Sequence, residues 1–136
     1  MAVMPRVQSV VLPILRAALP DNVTVSTWGA DIDYRVLPII HVRRVGGVRH
    51  FIRPKQLDRA VIEMTAYGNV GLPETEHMYI EALEALFDAV KHQTVTEAGY
   101  LHSMKETMGM TQFSSPFMDS WRVQGLIALG VRPINK

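Results

Sequence analysis

The chain contains no cysteine among its 136 residues. This absence excludes disulfides, thiolate metal ligands and cysteine nucleophiles, and it is compatible with a reducing compartment. Long apolar runs are absent too, since no stretch approaches the roughly 18 uninterrupted apolar residues of a membrane-spanning helix. The first twenty residues make a poor signal peptide because Arg16 interrupts their apolar positions and Pro5 and Pro13 break them up. We therefore expect neither a membrane span nor a secretory leader.

A strong net charge is also missing, because 14 Lys and Arg stand against 13 Asp and Glu. The chain is 48% hydrophobic and 20% charged, which favours a folded protein over a disordered one. Its length favours a single domain over residues 1–136.

Signatures of catalysis are absent as well. The sequence has no phosphate-binding loop, G-x-S-x-G elbow, H-E-x-x-H motif or dinucleotide fingerprint. His77 and Glu81 lie one turn apart on a predicted helix, and an exposed i,i+4 pair is a simpler interpretation of them than a metal site. We expect no enzymatic activity, no metal and no cofactor.

Hydrophobic periodicity predicts an α+β fold. Helices are indicated over 5–19, with Pro13 expected to kink or split the helix, and over 74–92. The predicted apolar stripe of the second helix contains Tyr79, Ile80, Leu83, Leu86, Phe87 and Val90. Strands are predicted over 23–28, 36–45, 48–53, 59–68, 98–107 and 121–133. Loops are predicted over 29–35 and 108–120. The order favours a mostly antiparallel sheet with two amphipathic helices packed on one face.

Two of these strands have a pattern that predicts their packing. In the strand over 59–68, the alternate residues Ala60, Ile62, Met64 and Ala66 form the more apolar face. In the strand over 121–133, Gly125 and Gly130 indicate a bulge or a close approach of another group.

Basic residues concentrate between His41 and Arg59. This segment contains Arg43, Arg44, Arg49, Arg53, Lys55 and Arg59. Gly46-Gly47 between two strand-like runs predicts a two-residue turn and a long projecting hairpin. Such a turn would place Arg44 opposite Arg49 at the tip and Phe51 in the core at the base. Because like charges in opposition cost stability, we hypothesise that acids of another subunit, or phosphates, meet this tip.

Methionine and aromatic residues concentrate near the predicted loop over 108–120. Two interpretations stay open: the loop folds back on its own core, or it contacts another chain, where Met and Phe are favoured. A nucleic-acid surface would normally have a broader basic excess and more stacking aromatics than Phe51 and Tyr34 provide. We therefore favour a protein interface. Its candidate residues are Arg43, Arg44, Arg49, Arg53, Phe113, Phe117 and Met118.

The order of elements carries a family resemblance. "DRAVIEMTAYG" followed by "TEHMYIEALEALFDAVKH" resembles the tail-terminator, or tail completion, proteins of long-tailed bacteriophages. "RAALPDNVTVSTW" and the closing "WRVQGLIALGVRP" match the same layout, so the resemblance covers about residues 5–133. Pro13 and the Met-rich segment 107–120 depart from the minimal pattern.

The resemblance implies a non-catalytic structural protein of the virion, made in the bacterial cytoplasm and placed at the junction of tail and neck. Members form a ring, commonly a hexamer, that ends tail polymerisation and docks the tail to head-closure proteins. The implied partners are other copies of the chain, the tail tube protein, the neck protein and DNA passing non-specifically through the pore. The alternatives are another neck component, such as a head-closure or head–tail joining protein, and a small nucleic-acid-binding module that uses the basic hairpin.

Overall fold

The computed structural model describes residues 3–27 and 37–134. The elements in chain order are α1 (Val7–Ala18), β1 (Thr24–Thr27), β2 (Ile39–Arg49), β3 (Asp58–Gly68), α2 (Leu72–Lys91), β4 (Gly99–Phe113) and β5 (Trp121–Pro133). The whole of the predicted loop over 29–35, which includes Tyr34, lies outside the described residues.

The five strands of the described residues form one mixed sheet in the order β1-β2-β3-β5-β4. β1 pairs with β2 in parallel, whereas the β2–β3, β3–β5 and β4–β5 pairs are antiparallel. Both helices contact the sheet and also contact each other, so the fold is α+β with two layers. Neither α1 nor α2 is long and apolar enough to cross a membrane.

The core lies between the helices and one face of the sheet. The predicted apolar face of β3 is confirmed, because Ala60, Ile62, Met64 and Ala66 are fully buried. On β5, the alternate residues Val123, Ile127, Leu129 and Val131 are buried beside them. Gly125 between these residues allows the close approach that the sequence indicated, since a Cβ there would overlap the Tyr79 hydroxyl.

The helix α1 continues through Pro13, so the predicted split is wrong. Pro13 lies on the exposed side of the helix, as does Ser9, whose carbonyl loses its hydrogen-bond donor four residues later. Solvent can satisfy that carbonyl. The buried stripe of α1, which includes Val10, Val11 and Leu15, is therefore undisturbed.

The helix α2 is rotated about its own axis relative to the orientation that its apolar stripe predicted, so a different face packs on the core. Its buried residues are Thr75, Met78, Tyr79, Ala82, Leu86 and Ala89. Ile80 and Phe87 were predicted in the stripe, yet 42% and 40% of their surfaces are exposed. Ala82 and Ala89 lack long side chains, so this face of the helix is free to pack closely, and Ile80 and Phe87 are left at the outer side.

The predicted turn at Gly46-Gly47 is wrong, and so is the separate strand over 48–53. β2 runs through both glycines to Arg49, and its pairing with β3 shifts register between Arg44 and Gly46, which makes Val45 the extra residue of a β-bulge. The chain instead reverses over 50–57, where the His50 amide donates to the Leu57 carbonyl at 2.8 Å. As a result Phe51, predicted in the core, is 94% exposed.

The predicted loop over 108–120 is wrong for residues 108–113, because β4 continues to Phe113, whereas residues 114–120 do connect β4 to β5. The pairing of β4 with β5 shifts register at three places, between Leu101 and Ser103, between Glu106 and Met108, and between Met108 and Thr111. These irregularities disrupt the strict alternation by which a strand is recognised in sequence.

Candidate interaction surfaces

The loop 50–57 forms an ordered basic end of the molecule. The His50 Nδ1 accepts hydrogen bonds from the amides of Ile52 at 3.1 Å and Arg53 at 3.0 Å, and the Arg53 carbonyl accepts from the Leu57 amide at 3.1 Å. These bonds fix the loop while the side chains of residues 51–56 remain exposed. The exposed cations at this end are Arg49, Arg53, Lys55 and Arg59.

Arg44 and Arg49 do not face each other, so the predicted cross-strand repulsion is wrong. Arg44 is opposite Ile62, whereas Arg49 is opposite Asp58. Arg44 binds Asp58, and that hydrogen bond is the main reason why the pKa of Arg44 is raised above its ordinary value. Among the described residues, Arg49 has only a long contact of 3.5 Å, from its guanidinium to the Pro54 carbonyl.

Arg43 lies on the sheet face opposite to the helices, and its Nε and Nη2 donate to the two carboxylate oxygens of Glu63 at 3.0 and 3.2 Å. The hydrogen bond to Glu63 is the largest cause of the raised pKa of Arg43. Of the four predicted interface arginines, two are therefore engaged within the subunit, and Arg49 and Arg53 project at the basic end.

Part of the Met- and Phe-rich segment folds back on its own subunit, as one of the two interpretations predicted, and the contact with another chain stays a prediction. Met104 and Met110 pack partly buried against the core. Phe117 folds back over the sheet face opposite to the helices, where its ring lies 5.0 Å from that of Tyr67. Phe113 stacks against Arg122, whose guanidinium carbon lies 5.2 Å from the ring centre. Met118 at the tip is 91% exposed.

The outer side of α2 is the acidic surface that the sequence analysis did not single out. The helix carries Glu74, Glu76, Glu81, Glu84 and Asp88 against a single Lys91. Exposed Ile80 and Phe87 lie among these acids. The sequence does contain an indication of this surface. Acids recur along the helix beside Ala82 and Ala89, and burial of these two small residues rotates the acidic side outwards.

His77 and Glu81 form the predicted exposed i,i+4 pair on α2, with Nε2 and Oε1 2.7 Å apart. Within residues 3–27 and 37–134, no group of three or more His, Asp or Glu side chains is arranged to hold a metal ion. The arrangement of charges and exposed apolar side chains is suited to contacts between proteins.

Comparisons with known proteins agree with this interpretation. The model of a family described as phage tail termination protein matches residues 3–136. The chain is 57% identical to the Gene 22 protein of Mycobacterium phage D29 over 133 residues, which cover 97% of this chain and 96% of that protein. It is 56% identical, with the same coverage, to the Gene 22 protein of Mycobacterium phage L5.

Proposed function

The chain belongs to the phage tail termination protein family, and from this premise we propose that it forms a ring that caps the tail tube, ends tail polymerisation and joins the tail to the neck. The observation that carries the proposal is the family match over nearly the whole chain. The family itself supports a structural role in the phage tail. The ring, which we take to be a hexamer, and its two docking faces are the proposed part.

The distribution of exposed groups supports a ring subunit. A ring of identical subunits needs two different surfaces on each copy, because a head-to-tail contact closes only when one surface meets the other. This chain has a basic end at the loop 50–57 and an acidic outer side on α2. The exposed hairpin tip with Met118 is a further contact element, and we assign it to the tail tube or the neck protein.

The experiment is to remove the gene from its phage and to supply the chain from a plasmid. Without the chain, we expect electron micrographs to show tails of irregular, excessive length and heads without tails, and the plasmid should restore uniform tails joined to heads. Uniform tails joined to heads in its absence would contradict the proposal.

The same images separate the proposal from the alternative of another neck component. A head-closure or head–tail joining protein acts after the tail is complete, so its loss leaves tails of normal length that do not attach to heads. A reconstruction of the whole particle would support the terminator assignment directly if it showed copies of this chain as a ring at the head-proximal end of the tube. DNA is then expected to pass through that ring without sequence-specific contacts.

A further inference from the structure

The first surface of this inference is the basic tip, defined as residues 49–56. Phe51 is 94% exposed and Ile52 is 72% exposed, although both are large apolar side chains. Arg49, Arg53 and Lys55 flank them along the same exposed segment. In the part of the chain that the structure describes, these three cations form no ion pair. An apolar centre with a charged rim is the usual anatomy of a protein interface.

The second surface is the acidic crest, defined as the outer residues of α2 from His77 to Asp88. Ile80 and Phe87 are seven residues apart, so they lie on one side of the helix two turns apart. Glu84 lies between them and Asp88 beside Phe87, and both acids are exposed. The crest therefore also has two apolar side chains with charges around them, but the charges are negative.

We propose that the basic tip of one copy docks on the acidic crest of the next copy in the ring. The inference rests on the proposed function, because it specifies the contact that would close the ring. Both surfaces lie on every copy, and among the described residues no hydrogen bond or ion pair joins them within one copy. Two different surfaces that fit each other generate a head-to-tail contact, which closes into a ring.

A second copy explains the tip better than DNA does. A phosphate backbone satisfies the cations but leaves Ile52 exposed, since only flat aromatic side chains such as Phe51 can stack on bases. The crest supplies carboxylates for Arg53 and Lys55 and apolar contacts for Phe51 and Ile52. Charge complementarity would also exclude contacts between two tips or between two crests, because like charges would meet there.

A charge exchange tests the pairing. Arg53→Glu and Glu84→Arg should each lower the yield of infectious particles by about tenfold or more, because each leaves charges of like sign in a buried contact. The combined variant restores an opposite-sign pair and should recover most of the yield. Arg6→Glu is the matched control, since it reverses an exposed arginine outside both surfaces and should change the yield little. Circular dichroism of the purified chains checks that every variant is folded.

Cross-linking locates the contact. Because the chain has no native cysteine, the introduced cysteines supply its only thiols. Particles whose only copies carry Gln56→Cys and Glu84→Cys are treated with a short bis-maleimide. A head-to-tail contact should give a ladder of covalent oligomers, whereas each single variant should give none. Gln56→Cys with Val70→Cys is the control, because Val70 is 77% exposed but lies outside the crest.

The outcomes separate this inference from the proposed function. If glutaraldehyde captures multimers from wild-type particles but the thiol pair gives no ladder and the charge exchange does not recover the yield, the ring stands and the proposed contact is wrong. If wild-type particles contain a single copy, the ring itself is wrong. If Arg53→Glu abolishes a salt-dependent binding of DNA by the purified chain and the ladder is absent, the tip binds DNA and the inference is overturned.

Discussion

Arg44 and Asp58 form a bidentate ion pair across the antiparallel pair of β2 and β3, with donor–acceptor distances of 2.5 and 3.0 Å. The Asp58 side chain is buried, whereas Arg44 is partly exposed. Arg44 also donates to the carbonyls of Gly46 and Gly47, at 3.1 Å each. One guanidinium thus holds the β-bulge of β2 and neutralises a buried carboxylate at the start of β3.

Loss of this arginine should destabilise the subunit. Arg44→Met leaves the Asp58 carboxylate buried without its partner, and we expect the free energy of unfolding to fall by about 2–3 kcal/mol, somewhat less than for a fully buried pair. Arg43→Met is the control: it breaks the more exposed pair with Glu63 and should cost under about 1 kcal/mol. Urea denaturation of both purified variants measures the difference.

A second substitution tests whether the lone charge is the cause. Asp58→Asn in the Arg44→Met background removes the uncompensated charge and should recover part of the lost stability. Equal stability of Arg44→Met and Arg43→Met would contradict this account. A reversed charge at Arg44 is therefore not a clean test of assembly, because it would act on the fold of the subunit first.

The sequence around Arg44 shows where prediction from pattern fails. Gly-Gly between two strand-like runs is a strong turn signal, but the same pair also suits a bulge inside a continuous strand. The deciding interactions are tertiary: residues 46–49 pair with 58–61, and Asp58 needs a cation. By contrast, the alternation of β3 was sufficient to predict its buried face, because each of its core positions packs in one unbroken register with β5.

Gly47 and Gly46 should respond differently to substitution by alanine. Gly47 has a φ of +92°, and a Cβ there would overlap the Arg59 carbonyl, whereas a Cβ at Gly46 meets no atom of the described residues within 4 Å. We expect Gly47→Ala to lower the free energy of unfolding by about 1–3 kcal/mol, and Gly46→Ala to change it by less than about 0.5 kcal/mol. Thermal unfolding of the two variants distinguishes a bulge from a two-residue turn, in which both glycines would resist substitution.

Tyr79 and Gly125 should be coupled. The Tyr79 hydroxyl is buried without a hydrogen-bond partner in the described part of the chain, and burial raises the pKa of this phenol. Tyr79→Phe should therefore be neutral or stabilising. Gly125→Ala alone should cost about 1–3 kcal/mol by overpacking, and less in the Tyr79→Phe background. A double-mutant cycle measures the coupling, and strictly additive effects would show that the hydroxyl is not the obstructing group.

The candidate surfaces were only partly predictable for a similar reason. The basic segment was evident from composition, and Arg49 and Arg53 do project. Which cations are free to bind a partner depends on carboxylates 14 and 20 residues away in the chain, Asp58 and Glu63. The acidic crest depends on the rotation of α2, which is set by alanine packing rather than by the count of apolar residues.

His41 should make stability depend on pH. Desolvation lowers its pKa from the ordinary value of 6.5, and the nearby Glu63 opposes that shift. Because the folded state binds this proton less readily than the unfolded state, stability is unaffected well above pH 6.5 and falls as the pH drops below it. We expect His41→Gln to reduce the difference between urea midpoints at about pH 7.5 and about pH 5. An equal difference between the two midpoints in His41→Gln and in the unsubstituted chain would contradict this account.

Phe117 and Met118 are adjacent in the β4–β5 hairpin tip and should separate folding from assembly. Phe117 packs on Tyr67, so Phe117→Ala should lower the free energy of unfolding by about 1 kcal/mol or more. Met118 is 91% exposed, so Met118→Ser should leave unfolding unchanged. If the tip contacts the tail tube or the neck, Met118→Ser should nevertheless reduce the yield of tailed particles in the plasmid complementation. Normal yield with Met118→Ser, and loss only with Phe117→Ala, would show that this segment serves the stability of the subunit and not a contact with a partner.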